Sequence, residues 1–492
     1  MSWTKEMRYR HYREMTEAEE QELLEKVNNS IWRQQFHIQP PYGLLNDPNG
    51  FAFYQGKYHL FYQWFPFGPV HGMKHWYHVE SDDLVHWEEK GLGIAPEYDH
   101  ESHGVFSGTG MVKDDLLYLF YTANKRDQNW NRESSQSFAV MDEEGKLAKQ
   151  EKPIISKQPE GYTANFRDPK VWKSGNQYYM IIGAERENHT GCVLIYKSAD
   201  FLHWNFEGEL KTNFEHFGYM WECPDIFQLN GKDVLMISPQ GLEPEGDFYQ
   251  NIHNSGCFIG KLDLENYYFH SNVFQELDAG FDFYAPQTTQ APDGRQILIG
   301  WMGLPDMNYP SDKDMWANCL TIPRELCIIH DKIYQTPVKE MNKRRGSLVE
   351  WQGYVNKEER HLENFSGQTY ELICDLELEN GKAGLKLRTG KQEETLIYLD
   401  TNLQKVVLDR TNSGEPVSEG YGSIRQVAYA DKKVSLRIFV DVSSVEIFVN
   451  EGEFVFTARI FPQEESRGVK IFADDTEGYL DVKKWDMKTS NN

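Results

Sequence analysis

Short apolar segments recur along the first two thirds of the chain, at intervals of about sixty residues. They are YHLFY (58–62), LYLFYT (117–122), YYMIIGA (178–184), VLMISPQ (234–240) and ILIGWM (297–302). Their aromatic and β-branched residues, bounded by turn residues, are typical of buried strands. The one clear helical signal is Thr16 followed by Glu19, a capping-box pattern that predicts a helix from residue 16 to about residue 28. The pattern therefore predicts an all-β protein with a short N-terminal helix.

A second internal repeat has a compatible spacing. The segments SDDLVHW (81–87) and SADFLHW (198–204) lie 117 residues apart, which is about two of the shorter intervals. Five units of β character fit a five-bladed β-propeller with one four-stranded sheet per blade. Unrelated strands of similar composition remain the alternative interpretation.

The pattern changes to strict alternation after TPVKEMNKRRGS (336–347). In TYELICDLELE, one apolar face is formed by Tyr370, Leu372, Cys374, Leu376 and Leu378. In KKVSLRIFV, another is formed by Val434, Leu436, Ile438 and Val440. FVNEGEFVF adds a hairpin signal, and together these features predict an antiparallel β-sandwich. We therefore expect an N-terminal helical arm at 1–32, a propeller that carries the site at 33–338, and a sandwich at 345–492.

Charge and composition narrow the possible partners. Lys and Arg total 51 against 76 Asp and Glu, which gives a net charge of −25. This charge disfavours nucleic acid and anionic membranes as partners, and an anionic substrate would need a local basic pocket. The six cysteines form no CxxC pair, which favours reduced thiols over disulfides or zinc. The charged N-terminus and the absence of a long apolar stretch predict a cytoplasmic protein, and oligomeric state has no signal in the sequence.

Polar segments precede the repeated strands by about ten residues each. They are LNDPNG (45–50), FSGTG (106–110), FRDPK (166–170), WECPD (221–225) and FYAPQ (283–287). Because equivalent positions of propeller blades surround one channel, we expect convergence of Asp47, Ser107, Asp168, Glu222 and either Tyr284 or Gln287. An isolated NDPNG would indicate only a tight turn.

Converging carboxyl groups without metal-ligand spacing indicate cleavage of a glycosidic bond. Asp47, beside Asn46 and just before the backbone N–H groups of residues 49 and 50, is expected to stay ionised and to act as nucleophile. Glu222, between Trp221 and Cys223, is expected to have a raised pKa and to act as acid.

The remaining polar and aromatic candidates have less specific signals. Asp168 follows Arg167, which suits hydrogen bonding to sugar hydroxyls, although an ordinary structural ion pair fits as well. Trp64, Phe106 and Trp76 fit either sugar walls or core.

Two further alternatives stay open at this point. One is a metal site at His71, His75 and His78 in HGMKHWYH, for which hydrogen-bonding histidines are the simpler interpretation. The other is a sugar-binding module without catalysis, in which the acids only accept hydrogen bonds from hydroxyl groups.

The ordered motifs NDPNG, FSGT, RDP and ECP resemble those of glycoside hydrolase family 32, the β-fructofuranosidase (invertase) family. The resemblance runs from about residue 30 to 485 and includes LFYQWFPFG, HWYHVESDDLVHW, LTIPREL and FVDVSSVEIFVN. Within the family it is strongest to bacterial enzymes that act on sucrose 6-phosphate. The chain departs from many relatives at Leu45, where Met or Trp is common, and at LFYQW, where LFYQY is common.

This resemblance implies a five-bladed propeller with a C-terminal sandwich, no cofactor, no metal, and a retaining double displacement on a small sugar, sucrose 6-phosphate or sucrose. It implies that Asp47 is the nucleophile, Glu222 the general acid and base, and Asp168 the transition-state stabiliser. The implied fructose subsite comprises Asn46, Gln63, Trp64, Phe106, Ser107 and Arg167. Hydrolysis of free sucrose or fructo-oligosaccharides, or fructosyl transfer, would use the same residues. The basic candidates for a phosphate contact are Lys125, Arg126 and His75.

Overall fold

The computed structural model describes residues 3–417 and 420–489. The chain begins with α1 (Lys5–Arg8), a 3-10 turn at Tyr12–Glu14 and α2 (Glu17–Asn28). Glu19 N donates to Thr16 Oγ1 at 3.2 Å, and Thr16 N donates to Glu19 Oε2 at 2.9 Å, so the predicted capping box and helix are confirmed.

Five antiparallel sheets follow in chain order. The first contains β1 (Gly43–Tyr54), β2 (Lys57–Phe65), β3 (His75–Ser81) and β4 (Glu88–Ile94). The second contains β5 (Gly110–Lys113), β6 (Leu116–Arg126), β7 (Arg132–Met141) and β8 (Leu147–Lys149). The third contains β9 (Tyr162–Ser174), β10 (Gln177–Arg186), β11 (Gly191–Ser198) and β12 (Asn205–Glu209).

The fourth and fifth sheets are less regular than the first three. The fourth contains β13 (Met220–Leu229), β14 (Lys232–Gln240), β15 (Gly256–Asp263), β16 (Tyr268–His270) and β17 (Phe274–Glu276). The fifth region contains β18 (Tyr284–Gln290), β19 (Gln296–Met302), β20 (Trp316–Ala317), β21 (Cys319–Leu320), β22 (Arg324–Ile329) and β23 (Lys332–Pro337). The short β20 pairs in parallel with the start of β1, which ties the end of this region to the first sheet.

The five predicted apolar segments all form second strands, namely β2, β6, β10, β14 and β19. The prediction that these segments are buried strands is confirmed, because each lies inside its sheet and contributes residues to a hydrophobic core cluster. Further 3-10 turns lie at Asp99–Glu101, Pro310–Asp314 and Lys339–Arg344. Of the helices described, none has both the length and the apolar surface needed to cross a bilayer.

Two six-stranded antiparallel sheets form the C-terminal sandwich. One contains β24 (Arg345–Asn356), β26 (Tyr370–Leu378), β31 (Lys433–Asp441), β32 (Ser444–Val449), β33 (Phe454–Arg459) and β35 (Glu477–Met487). The other contains β25 (Glu359–His361), β27 (Lys382–Thr389), β28 (Glu394–Asp400), β29 (Lys405–Asn412), β30 (Ile424–Ala428) and β34 (Gly468–Asp474). The alternating apolar faces predicted in β26 and β31 are buried in the core between them, which confirms the sandwich.

A buried ionic network joins the sandwich to the rest of the chain. His37 Nδ1 lies 2.8 Å from Asp441 Oδ2, and its Nε2 lies 3.0 Å from Glu446 Oε1. Arg324 of β22 reaches Glu446 at 2.7 Å and Asp278 at 3.1 Å. All five side chains are at most 1% exposed, so the network fixes β32 against both the N-terminal segment and the fifth sheet.

Candidate active site

Four of the polar segments predicted to converge lie on β-bulges. Register shifts occur in β1, β9, β13 and β18, each at or beside one X-Pro dipeptide: Asp47-Pro48, Asp168-Pro169, Cys223-Pro224 and Ala285-Pro286. Asp168, Cys223 and Ala285 have φ values of 70°, 47° and 47°, a region that non-glycine residues rarely adopt. Bulges of this kind turn a side chain away from the strand's regular alternation, and strained backbone of this kind often accompanies function.

Asp47 lines a polar cavity and accepts hydrogen bonds from a hydroxyl and an amide side chain, besides the Cys223 thiol. Ser107 Oγ donates to Oδ2, and Asn46 Nδ2 donates to Oδ1 at 3.2 Å. Lys74 Nζ donates to Asn46 Oδ1 at 2.6 Å. Gln63 Nε2 donates to Ser107 Oγ at 2.8 Å. The carboxylate is therefore held in a fixed orientation by a hydrogen-bonded chain from the first two sheets.

The predicted backbone donors do not reach Asp47. Gly50 N donates to Gly108 O at 3.1 Å, and the Asn49 side chain donates to the backbone oxygen of Asp47. Burial raises the pKa of Asp47, and the negative charge of Glu222 adds to that, while the bonds from Ser107 and Asn46 oppose both. The pKa of Asp47 therefore lies above its ordinary value, contrary to the expectation that neighbouring donors would favour its ionised form.

Asp168 lies next to Asp47 across the thiol of Cys223. The Cys223 sulfur is 3.8 Å from Asp47 Oδ2 and 3.7 Å from Asp168 Oδ2, and Cys223 N donates to Asp168 Oδ2 at 3.0 Å. Burial raises the pKa of Asp168 to about 7, against the opposing effect of Arg167 and with support from the charges of Glu222 and Asp47. Two acids thus share one side of the cavity.

Glu222 faces cationic and hydroxyl donors. Arg167 Nη2 and Nε lie 2.7 and 2.9 Å from Glu222 Oε1, and Tyr284 Oη donates to Oε2 at 2.6 Å. Burial favours the neutral acid, but the charge and hydrogen bonds of Arg167 and the bond from Tyr284 outweigh it and lower the pKa. The expectation of a raised pKa is therefore wrong, because the partners of Glu222 come from other strands and outweigh the effect of its sequence neighbours Trp221 and Cys223.

A cavity of about 310 Å³ gathers these groups. Eight of the nine residues predicted for the site line it: Asn46, Asp47, Gln63, Phe106, Ser107, Arg167, Asp168 and Glu222. The ninth, Trp64, does not. Its indole is 1% exposed, packs against Tyr12 and Tyr42, and donates to the backbone oxygen of Tyr42 at 2.8 Å. Because Trp64 follows Gln63 along β2, its side chain points to the opposite face, which corrects its assignment to the fructose subsite.

The cavity also contains residues that the sequence did not indicate, among them Arg8 and Tyr9 of the arm, Lys74, Arg132 and Gln240. Burial lowers the pKa of Lys74 to about 7, against the opposing charge of Asp47. Lys74 lies within HGMKHWYH, and its position among the histidines was the only sequence feature that could have indicated it as a site residue. Arg8 had none, because its contact with the cavity depends on how the arm folds back.

Of the two residues predicted to converge from the last polar segment, Tyr284 and Gln287, it is Tyr284 that lines the cavity. Gln287 instead joins sheets behind it: its Nε2 donates to Gly108 O and its Oε1 accepts from Phe51 N at 3.2 Å.

The three histidines proposed as an alternative metal site do not gather. His75 and His78 are three residues apart on β3 and therefore point to opposite faces. Within the described residues, the three side chains close enough together to bind one metal ion are His59, His78 and Glu80, and Lys57 already lies 2.6 Å from Glu80.

The three basic residues predicted as candidates for a phosphate contact lie in different places. Arg126 lines the cavity, Lys125 pairs with Asp99, and His75 packs against Tyr12 and Trp64.

Two family profiles divide nearly the whole chain between them. The profile described as "Glycosyl hydrolases family 32 N-terminal domain" matches residues 37–337, and "Glycosyl hydrolases family 32 C terminal" matches residues 338–486. The chain belongs to glycosyl hydrolase family 32. The resemblance drawn from the four motifs is thereby confirmed.

Individual members of family 32 match over their full length. The sucrose-6-phosphate hydrolase of Staphylococcus xylosus is 48% identical, over 99% of each chain. The solved sucrose-6-phosphate hydrolase of Lactobacillus gasseri is 37% identical with a TM-score of 0.93, covering 99% of this chain and 100% of that one. A Bombyx mori family 32 β-fructofuranosidase, solved as a mutant in complex with sucrose, is 36% identical with a TM-score of 0.82, covering 97% and 99%.

Proposed function

We propose that this protein hydrolyses the β-fructofuranosidic bond of sucrose 6-phosphate, and more slowly that of sucrose, through a covalent fructosyl-enzyme. The proposal rests on one observation: Asp47, Asp168 and Glu222 line the same cavity, together with side chains that can form hydrogen bonds. The similar chains named sucrose-6-phosphate hydrolase support the choice of substrate.

In the first step, a carboxylate oxygen of Asp47 attacks C2 of the fructosyl unit while the bond from C2 to the glycosidic oxygen breaks. Glu222 gives its proton to that oxygen, and the glucose part leaves as a neutral alcohol at that position. In the second step, Glu222 takes a proton from water, the water oxygen attacks C2, and the ester to Asp47 breaks. Asp168 accepts hydrogen bonds from fructose hydroxyls in both steps.

Substrate binding must redistribute protons before this chemistry starts. The protein's own groups raise the pKa of Asp47 and Asp168 and lower that of Glu222, the reverse of what the first step needs. Sugar hydroxyls that donate to Asp47 and Asp168 stabilise their ionised forms, and those two charges then favour a protonated Glu222. The active protonation state is thus formed with the substrate.

The finer features of the fold belong to the same proposal. We propose that the five sheets are blades of a propeller around the cavity, with the arm at 1–32, the propeller at 33–338 and the sandwich at 345–492. Hydrogen bonds link neighbouring sheets in sequence: Gly50 to Gly108, Asp168 to Thr122, Cys223 to Asp168, and Thr288 to Asp225. The parallel pairing of β20 with β1 supports closure of the ring. A cytoplasmic location stays a prediction.

The first test compares kcat/KM for sucrose 6-phosphate and for sucrose. We expect a preference for the phosphorylated sugar above about 100-fold, roughly 2.7 kcal/mol of transition-state discrimination. Equal values would remove the phosphate part of the proposal and leave a β-fructofuranosidase. Absence of turnover with both sugars would contradict the proposal as a whole.

Asp47→Asn and Glu222→Gln should each lower kcat by several orders of magnitude, because one removes the nucleophile and the other the proton donor. The exposed Asp82→Asn is the matched control for a lost carboxylate and should keep full activity. NMR of the first product should show fructose released with retained configuration, and inverted fructose would contradict a covalent intermediate.

A further inference from the structure

Three arginines at the cavity have no carboxylate partner. Within the described residues, no ion pair involves Arg8, Arg126 or Arg132, and all three line the cavity. We call these three the arginine cluster. In a protein of net charge −25 with many acidic side chains available, three unneutralised guanidinium groups at one cavity indicate a place for an anion.

The two arginines of the second sheet stand directly opposite each other. Arg126 of β6 pairs in register with Arg132 of β7, whereas the adjacent pair is Lys125 with Glu133, which is of opposite charge. Like charges directly across an antiparallel pair are destabilising. Burial, with the charges of Arg167 and Arg126, lowers the pKa of Arg132 to about 10. A bound anion would relieve this repulsion.

Arg126 retains an unused donor. Its Nη1 makes a long hydrogen bond of 3.3 Å to Trp130 O, and its Nε is buried without a hydrogen-bond partner. Buried donors without a partner are uncommon in folded proteins and often mark the place of a ligand. The guanidinium of Arg132 lies over the ring of Phe106, with 5.7 Å to its centroid, so an aromatic face adjoins the same charge.

The N-terminal arm brings the third arginine. Arg8 Nη1 donates to His71 O at 2.9 Å, and Met73 N donates to Arg8 O at 2.7 Å, which straps the arm to the segment before β3. The ring of Tyr9 lies 5.2 Å from that of Trp130, which also adjoins Arg126. The arm therefore brings Arg8 to the cavity that Arg126 and Arg132 also line.

A chain of contacts connects the cluster to Glu222, the group proposed to protonate the leaving sugar. Asn165 Oδ1 accepts from both Arg132 and Arg167, each at 2.9 Å, and Arg167 contacts Glu222, the proposed proton donor to the glycosidic oxygen. A hexose whose glycosidic oxygen faces Glu222 would extend past Arg167 toward Arg132. Its 6-position would then approach the arginine cluster.

We infer that Arg8, Arg126 and Arg132 form a subsite for the phosphate monoester on the leaving glucose, an inference that rests on the proposed hydrolysis. Guanidinium groups present paired donors that match the oxygens of a phosphate dianion. Lys125 takes no part, because it is bound to Asp99 on the outer face. The cluster thereby sets the preference between phosphorylated and free sucrose.

The test measures kcat/KM on both sugars for Arg8→Gln, Arg126→Gln and Arg132→Gln. Each should lower the value for sucrose 6-phosphate by about 10- to 100-fold and change that for sucrose less than about 3-fold. Lys125→Gln and the exposed arm variant Arg13→Gln are matched controls and should change neither. An equal loss on both sugars in all three variants would overturn the inference.

A binding measurement separates this inference from the proposed function. Calorimetry on the Asp47→Asn protein should detect glucose 6-phosphate binding at least about 10-fold tighter than glucose, and Arg132→Gln in that background should abolish the difference. If glucose 6-phosphate binds no better than glucose, the subsite is wrong even where sucrose is cleaved. If it binds through the arginines and neither sucrose is hydrolysed, the subsite stands and the proposed hydrolysis fails.

Discussion

Two donors, Arg167 and Tyr284, lower the pKa of Glu222 and so favour its ionised form. Arg167 is permanently charged and also contacts Asn165, so its removal would disturb several groups at once. Tyr284 makes a simpler contribution, because its buried hydroxyl contacts one carboxylate oxygen of Glu222 at 2.6 Å and, apart from that, only the backbone oxygen of Ser238 at 3.2 Å. The pKa of the proposed acid can therefore be adjusted through a single hydroxyl group.

Tyr284→Phe should move the alkaline limb of the kcat profile, which reports the enzyme–substrate complex, to higher pH. The Tyr284 bond lowers the pKa of Glu222, so its loss raises that pKa, and a general acid with a higher pKa stays protonated to higher pH. The measurement is kcat at saturating sucrose from pH 5 to pH 9. A shift of the alkaline limb to lower pH, or an unchanged profile, would contradict the role of this hydroxyl.

Tyr309→Phe is a suitable control for Tyr284→Phe. Tyr309 is also a buried tyrosine whose hydroxyl donates to a carboxylate, Asp282, at 2.7 Å, but it does not line the cavity. This variant should leave the pH profile in place, so a shift in both proteins would indicate a general effect of losing a buried hydroxyl.

At the scale of elements, the second sheet reaches the cavity through the segment before β5. Gly108 in this segment lies against the neighbouring backbone: a Cβ would be 1.9 Å from Phe120 O and 2.7 Å from Tyr121 Cα. Its oxygen accepts from Gly50 N, and its nitrogen donates to Asn49 Oδ1 at 3.0 Å. The segment thus holds Ser107 against Asp47 only where no side chain is present at 108.

Gly108→Ala should destabilise the protein by about 1–3 kcal/mol, because backbone and not a flexible side chain would have to move. It should also lower kcat, since the displacement acts on Ser107. Thermal unfolding and kcat provide the two measurements. Gly367→Ala, where the nearest atoms are side-chain atoms at 3.3 Å, is the control and should be nearly neutral. Wild-type behaviour of Gly108→Ala would contradict the close packing.

The elements differ in how far the sequence could predict them. The capping box located α2, recurring apolar segments located the second strands, and the polar segments ahead of those strands located the three acids, because these signals are local. Trp64 was misassigned because β2 is almost wholly buried, so alternation could not separate the cavity face from the core. Arg8 and the donors to Glu222 come from distant segments, and their contacts are properties of tertiary packing.

At the scale of the whole molecule, His37 joins the two main parts while buried between two carboxylates. Burial alone would lower its pKa, but the hydrogen bonds and charges of Asp441 and Glu446 raise it to about 9. Burial would raise the pKa of both carboxyl groups, but contact with His37 lowers it at Asp441, and the charge of Arg324 together with His37 lowers it at Glu446. The interface therefore contains a protonated imidazole at neutral pH.

Stability should consequently fall as pH rises from about 6.5 to about 9. A folded-state pKa above the unfolded value of about 6.5 gives a contribution that is complete below that value and is lost as pH passes through the folded pKa. Thermal unfolding midpoints over this range provide the measurement. His37→Gln should be less stable at pH 6.5 by several degrees, and the difference should narrow toward pH 9.

His189→Gln is the control for the His37 variant, since His189 is 77% exposed and also pairs with a carboxylate, Glu185. It should keep the wild-type midpoint and its pH dependence. If His37→Gln does not fold, the wild-type curve still decides the matter: a constant midpoint between pH 6.5 and 9 would contradict a protonated His37 in the interface.

The anchors of the N-terminal segment also determine when this chain can finish folding during synthesis. Trp32 O accepts from Ser443 Oγ, Phe36 N donates to Asp441 Oδ2, and His37 bonds to Asp441, so these partners are some 400 residues apart. At about 5–20 residues per second, the ribosome makes the later partners roughly 20–80 s after the earlier ones. A nascent chain therefore displays Trp32 and Phe36 until it is nearly complete, which gives chaperones a means of recognising an unfinished molecule.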